Sequence, residues 1–275
     1  YSWDNLPKGR MAVVTDYYFV WSEYMKAEMN LYYPDIEDSR IIITGTPQFE
    51  FYHTITPDTR EEFALKYRLD PAKRWILYSG DMTDASPFDQ HYLEDVFKAW
   101  ENSKEKNNTQ LLFRRAPTDL TGRFKDVLAK YPEIVNIEPL WKSTGNHQMH
   151  LMVSQEDVNL LVNLIEHCHT AVNFGSTMAH DFAQRQKRVY YLNYNHPAVI
   201  KEQWSAEIFY AYTHFDSLEG MDAVDWVNSK EEISKVFLNE SNQPDQRISD
   251  WHAKITDDTK SASQKIISAL EQIAL

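Results

Sequence analysis

Residues 170–192 read TAVNFGSTMAHDFAQRQKRVYYL. An apolar run from Thr170 to Phe174 stops at Gly175-Ser176-Thr177. Met178, Phe182 and Gln186 follow at helical spacing, and Val189 to Leu192 is a second apolar run. Short apolar runs without alternation, bounded by turn residues, mark strands buried on both faces. This stretch therefore predicts strand, tight turn, helix, strand.

The same order recurs upstream. Trp75 to Tyr78 is an apolar run that leads into Ser79-Gly80-Asp81. Leu93, Val96, Phe97 and Trp100 fit one helical face, as do Phe124, Val127, Leu128 and Tyr131, and then Val158, Leu161, Val162 and Ile165. Between these helices lie the strands Gln110 to Phe113, ending in Arg114-Arg115, and Ile134 to Ile137, ending before Glu138-Pro139. Thr59 and Glu62 have the spacing of a capping box. Nearer the start, Tyr17 to Trp21 and Arg40 to Thr44 read as strands around a helix capped by Ser22. Gly45 and Pro47 open a linker-like stretch. Downstream come an aromatic loop from His196 to about Phe215 and a helix capped by Ser229 with Glu232. In a last helix, Ile266, Ala269, Leu270 and Ile273 share one face. Repeated β-α-β units with right-handed crossovers give an α/β chain with a Rossmann-like, doubly wound parallel sheet.

Composition sets the function classes. The chain has 275 residues, 43% hydrophobic and 25% charged, which is globular. A formal charge of −13 excludes the broad basic face that nucleic-acid binding needs. It leaves room for a local basic pocket that takes a phosphorylated small molecule. The single Cys168 rules out a disulfide scaffold and fits a reducing compartment. No apolar run approaches the ~18–20 residues of a membrane helix. The first residue is Tyr1, without a signal-like segment after it, so a cytoplasmic fragment of a longer protein is the expectation.

Open parallel sheets bind ligands at the carboxyl ends of their strands. Those positions here are Ser79-Gly80-Asp81, Arg114-Arg115, Glu138-Pro139, Gly175-Ser176-Thr177 and Asn193. Gly175 is one of only seven glycines, so its place between strand and helix is informative. With the hydroxyls of Ser176 and Thr177 and the free N–H groups of a helix start, it makes a phosphate seat. A plain N-cap has the same spacing. Arg114 and Arg115 point to opposite faces of a strand, so one can reach a ligand while the other pairs with a carboxylate. Asp181 can bond a ribose or simply complement the helix dipole. No dinucleotide fingerprint, P-loop or nucleophile elbow is present. There is no Asp-x-Asp pair to bridge a metal and phosphates, and His167-Cys168-His169 cannot easily converge on one ion, so no metal or cofactor is expected. Trp204, Phe209, Tyr210 and Tyr212 can stack on sugar rings or lie under the sheet.

Several stretches carry a family resemblance. They are Tyr1-Ser2-Trp3-Asp4-Asn5-Leu6 with Lys8-Gly9, the Tyr17–Trp21 strand, and Ile43-Thr44-Gly45-Thr46-Pro47-Gln48-Phe49-Glu50. They resemble bacterial GT-B glycosyltransferases, more narrowly the capsule and surface-polysaccharide members, with Glu50 where the family carries Asp. Asp157-Val158-Asn159, Cys168 to Phe174 and Gly175-Ser176-Thr177-Met178 resemble the donor-binding run of these enzymes. Similar runs occur in UDP-GlcNAc 2-epimerases and in the polyglycerol-phosphate transferases of wall teichoic acid synthesis.

The resemblance implies the C-terminal half of a two-domain enzyme. Residues 1–50 would end the first domain and form the linker, and 51–275 would be the nucleotide-sugar domain. It implies a glycosyltransferase that moves a sugar from a nucleoside-diphosphate sugar to a glycan or lipid-linked acceptor, without metal. The setting would be the cytoplasm, including the inner face of the membrane. By position, Ser79 and Gly80 would lie near the donor, Arg114 or Arg115 near the diphosphate, and Gly175, Ser176 and Thr177 on the phosphates. Asp181 would lie near the ribose, Glu138 and Leu140 in the base pocket, and Trp3, Asp4 and Asn5 on the acceptor side of the cleft. The paired glutamates of many retaining members are missing near Gly175, and no catalytic base is assigned. A CDP-polyol phosphotransferase, a nucleotide-sugar 2-epimerase and a non-catalytic sugar-binding or nucleotide-binding module are the competing expectations.

Overall fold

A computed structural model of the chain describes residues 15–145, 150–200, 203–257 and 261–274. Trp3, Asp4 and Asn5 lie outside the described residues. The chain begins with β1 (Tyr18–Val20), α1 (Glu23–Tyr32), β2 (Ile41–Ile43) and α2 (Phe51–Thr54). Then follow α3 (Arg60–Tyr67), β3 (Arg74–Ser79), α4 (Asp89–Glu101), β4 (Thr109–Arg114), α5 (Lys125–Lys130) and β5 (Val135–Asn136). An antiparallel pair of two-residue strands, β6 (Lys142–Ser143) with β7 (Leu151–Met152), precedes α6 (Gln155–His167), β8 (Thr170–Asn173), α7 (Met178–Ala183) and β9 (Val189–Leu192). The chain continues through α8 (Ala206–Tyr210), β10 (Asp225–Val227), α9 (Ser234–Leu238), α10 (Gln246–Thr256) and α11 (Ala262–Ala274).

Local chemistry explains these boundaries. Ser22 Oγ accepts the Met25 N–H and starts α1. Thr59 and Glu62 form a full capping box on α3, with the Glu62 carboxylate accepting from the Thr59 N–H at 2.9 Å. Ser154 Oγ accepts the Asp157 N–H at the start of α6. α7 ends at Ala183, short of the expected Gln186, because Gln186 takes a φ of +51° that breaks the helix.

The chain divides into two compact units. The first comprises residues 1–56, 211–223 and 246–275. Its β1 and β2 pair in parallel, with Tyr18 opposite Ile41. Val20, Met25, Met29 and Ile41 pack together in its core. Trp251 of α10 is fully buried and donates to Ser217 Oγ at 3.0 Å. On α11 only Ala262 and Ala269 are buried, and Leu270 is 52% exposed, so the apolar face read from sequence is only partly covered.

The second unit comprises residues 57–210 and 224–245. It holds a six-stranded sheet in the order β5-β4-β3-β8-β9-β10, with every pair parallel. Renumbered within the sheet, this is the 3-2-1-4-5-6 order of the doubly wound dinucleotide-binding fold. Trp75, Ile76, Leu77 and Tyr78 on its central strand have no solvent exposure. Each such side chain stabilises the fold by roughly 1.5–3 kcal/mol through burial. Trp204 and Phe209 are buried against Phe174, so they belong to the core; Tyr212, in the first unit, is 46% exposed. No helix among the described residues is long and apolar enough to cross a membrane.

Candidate functional site

Parallel pairing puts all the carboxyl ends of the strands on one edge. Successive crossovers from β3 run outward to β4 and β5, whereas β8, β9 and β10 lie on its other side. The order therefore reverses between β3 and β8, and a crevice opens outside their carboxyl ends at such a switch point. Ser79-Gly80-Asp81 leaves β3 there, and Gly175-Ser176-Thr177 leaves β8.

The β8 turn is tightly fixed. Gly175 has a φ of +69°, which a side chain would disfavour. Asn173 is fully buried, and its Oδ1 accepts the Ser176 N–H at 2.9 Å. The Tyr191 hydroxyl, from the neighbouring strand, donates to the Ser176 carbonyl at 3.0 Å. Thr177 occupies the N-cap position of α7, but its side chain makes no capping hydrogen bond. Ser176 Oγ stands 3.4 Å from the Met178 N–H, near the limit of a hydrogen bond. The Thr177 hydroxyl is thus not consumed as a cap. Asp181 sits half-buried in the first turn of α7.

The β3 turn rests on a buried polar network. Ser79 is 4% exposed and pairs with Arg114 in the ladder, and the Gly80 N–H donates to the Arg114 carbonyl at 2.8 Å. A Cβ on Gly80 would come within 3.1 Å of Phe113 and Phe124 and 3.2 Å of Asp89 Oδ2, so a larger residue here would need these side chains to give by a few tenths of an ångström. Beneath the turn, fully buried Asp89 accepts from the Tyr78 hydroxyl and, at 2.7 Å, from the Asp81 N–H. Arg123 Nη2 lies 3.9 Å from Asp89, and its Nε bonds Asp119 at 2.7 Å. Burial pushes the Asp89 carboxyl up to about 7, against the opposing pull of Arg123, Tyr78 and the Asp81 N–H.

Both arginines of the Arg114-Arg115 pair meet carboxylates. Arg114 is 3% exposed and bonds Asp157 through Nη2. Arg115 Nε bonds Glu138 at 2.9 Å, and its Nη1 bonds the carbonyls of Ala116, Pro117 and Asp119. Glu138 also accepts from Asn136 Nδ2, and Leu140, 39% exposed, gives its N–H to Asp157. Glu138 and Leu140 follow β5, three strands from β8, or about 14 Å at the usual strand spacing. The structure thus brings Ser79, Gly80, Arg114, Gly175, Ser176 and Thr177 to adjoining strand ends, and sets Glu138 and Leu140 towards the sheet margin.

Sequence reading missed Asp89, and it named Asp157 and Asn173 only within the runs that carry the resemblance, without their hydrogen-bonding roles. Ser154 and Asp157 have cap-like spacing, a signal for the helix start but not for the Arg114 partnership. Two buried donors on this edge, Asn173 Nδ2 and Arg114 Nη1, have no hydrogen-bond partner among the described residues. Orphaned buried donors are costly unless a ligand or water meets them.

No family model matches the chain, and no curated protein matches it in sequence. Its fold does match solved structures. The wall teichoic acid polymerase TagF, as its H548A variant, superposes with a TM-score of 0.57 at 15% identity, over 94% of this chain and 57% of TagF. UDP-GlcNAc 2-epimerase from Methanocaldococcus jannaschii, in complex with UDP-GlcNAc and UDP, gives 0.58 at 13% identity, over 94% and 61%. The enzyme from Neisseria meningitidis, bound to UDP-GlcNAc, gives 0.57 at 13%, over 94% and 62%. The chain spans about three fifths of the length of these proteins. It shares their GT-B-type fold, with the Rossmann-like half as expected.

Proposed function

We propose that this chain is the donor-binding part of a glycosyltransferase that uses a nucleoside-diphosphate sugar. The observation that carries the proposal is the switch point between β3 and β8, two neighbouring strands followed by a glycine turn, whose Thr177 hydroxyl makes no capping bond, and by a second polar turn. The fold likeness to enzymes solved with UDP-GlcNAc supports it. In this reading Ser176 and Thr177 hydroxyls and nearby backbone N–H groups hold the diphosphate. They stabilise the charge that builds on it as the sugar departs. Asp181 bonds the ribose, and Glu138 and Leu140 border the base. No metal is required, because the sequence offers no Asp-x-Asp pair to bridge a diphosphate. The acceptor is a glycan or a lipid-linked glycan, met in the cytoplasm or at the inner membrane face, and its binding involves the segment that holds Trp3, Asp4 and Asn5.

A cytidine-diphosphate polyol donor is the second reading, favoured by the likeness to TagF. Calorimetry against UDP and CDP, with and without magnesium, separates the two. The proposal expects metal-independent binding of UDP, at least tenfold tighter than CDP and weakened at least tenfold in Thr177→Val, or ~1.4 kcal/mol. Preference for CDP moves the assignment to polyol-phosphate transfer. Epimerisation of UDP-GlcNAc without an acceptor moves it to the epimerases. Binding of neither nucleotide by a folded chain sinks the donor-site reading.

A further inference from the structure

We propose that the amino edge of the six-stranded sheet carries a second binding site, which takes a small molecule bearing phosphate groups. This goes beyond the donor reading and concerns the opposite edge of the sheet. β3 is six residues long, so the two edges stand about 20 Å apart.

Residues that enter β3, β8 and β9 line a cavity of about 410 Å³ on that edge, within the usual size range for small-molecule sites. Six of its lining side chains are Arg60, Lys73, Arg74, Arg185, Lys187 and Arg188, and Glu166 is its one lining carboxylate. The chain as a whole carries −13, so this concentration of cations runs against its composition.

Three of the six are answered by carboxylates. Arg74 meets Glu105 at 3.0 Å, Arg185 meets Glu166 at 2.5 Å, and Arg188 lies 3.3 Å from Asp225 and 3.5 Å from Asp245. The other three are not. Arg60 stacks over Trp75 at 3.7 Å and donates to the carbonyls of Pro71, Lys73 and His167. Lys187 donates to the carbonyls of Ile165, Glu166 and Cys168. Carbonyls hold these groups in place without cancelling their charge. Lys73 has no carboxylate at ion-pair distance among the described residues. Burial pushes the Lys187 amine down to about 8, with Arg185 and Arg60 adding to it and Cys168 and Glu166 opposing. Two cations held by carbonyls and a third, Lys73, with no carboxylate at ion-pair distance line one cavity, which suits an anion with two or more negative charges.

The test is calorimetry with inorganic pyrophosphate at constant ionic strength. Orthophosphate and a sugar phosphate serve as parallel probes, to tell a free phosphate from a phosphorylated metabolite. The wild type is expected to bind pyrophosphate. Lys73→Glu, at a side chain with no carboxylate to release, should weaken binding at least tenfold, or ~1.4 kcal/mol. With saturating UDP on the carboxyl edge, pyrophosphate should still bind within twofold of its affinity without UDP, so the two sites fill separately. Undiminished binding in Lys73→Glu, displacement of pyrophosphate by UDP, or no millimolar binding by the folded wild type would each overturn the assignment.

Discussion

Arg114 donates from Nη2 to both carboxylate oxygens of Asp157, 2.9 Å each, and neither side chain is more than 5% exposed. Asp157 also accepts from the Leu140 N–H and the Trp141 indole N–H, both at 2.7 Å. One carboxylate thus ties the end of β4 and the segment after β5 to the start of α6. Removing one member of a buried pair strands the other's charge. Asp157→Ala is expected to lower unfolding free energy by about 3–5 kcal/mol. The Arg114→Met, Asp157→Ala double variant should lose at least ~1 kcal/mol less than the sum of the singles. Urea unfolding of all four proteins reads this cycle, and strict additivity would refute it.

Asp89 makes stability depend on pH. Its folded pKa of about 7 lies above the ordinary 3.8, so the folded state holds the proton more tightly. Its contribution is full below about pH 4 and is lost as pH rises through about 7. Between pH 5 and 8 the wild type should lose about 3 kcal/mol that Asp89→Asn does not lose. Parallel pH profiles for the two proteins would contradict the burial argument.

The β8 turn depends on backbone conformation. Gly175→Ala should cost about 1–2 kcal/mol, because its φ is +69°. Gly175→Asn should cost less, since Asn visits this region more readily. Thr177→Val, whose lost hydroxyl makes no cap bond, should leave the melting temperature nearly unchanged. Differential scanning calorimetry orders the three, and a large loss in Thr177→Val would mean the hydroxyl is structural.

Cys168 is fully buried, and burial pushes its thiol up to about 12. Thiolate is the reactive species, so the native chain should be inert to iodoacetamide at neutral pH and become labelled only on unfolding. Mass spectrometry after a timed pulse checks this. Rapid native labelling would show that the β8 entry opens easily.

The core strands were legible because their burial on both faces leaves unbroken apolar runs. Val189–Leu192 matches to the residue. The Thr59 and Glu62 capping box was legible because its chemistry is local. β10 was not: Asp225-Trp226-Val227 is three residues long, with an acidic start, at the sheet margin. The helix Gln246–Thr256 went unread although Ile248, Trp251 and Ile255 share its buried face. At the site, the glycine turn showed in the sequence, but its supports did not. Arg114 finds Asp157 across 43 residues, and Asp89 meets Arg123 through folding alone. Adjacent arginines at a strand end reveal charge, not which partner tertiary structure supplies.

The chain passes between its two compact units at residues 56/57, 210/211, 223/224 and 245/246. Neither unit is therefore a single stretch of polypeptide. Ending the chain after residue 245 would keep every strand of the six-stranded sheet yet remove Trp251 from beside Ser217. A gene fragment cut there would encode an intact sheet and a smaller unit without its fully buried tryptophan. Swapping either unit into another protein thus takes several splice points, and drift in one unit is constrained by chain entries and exits that the other must keep.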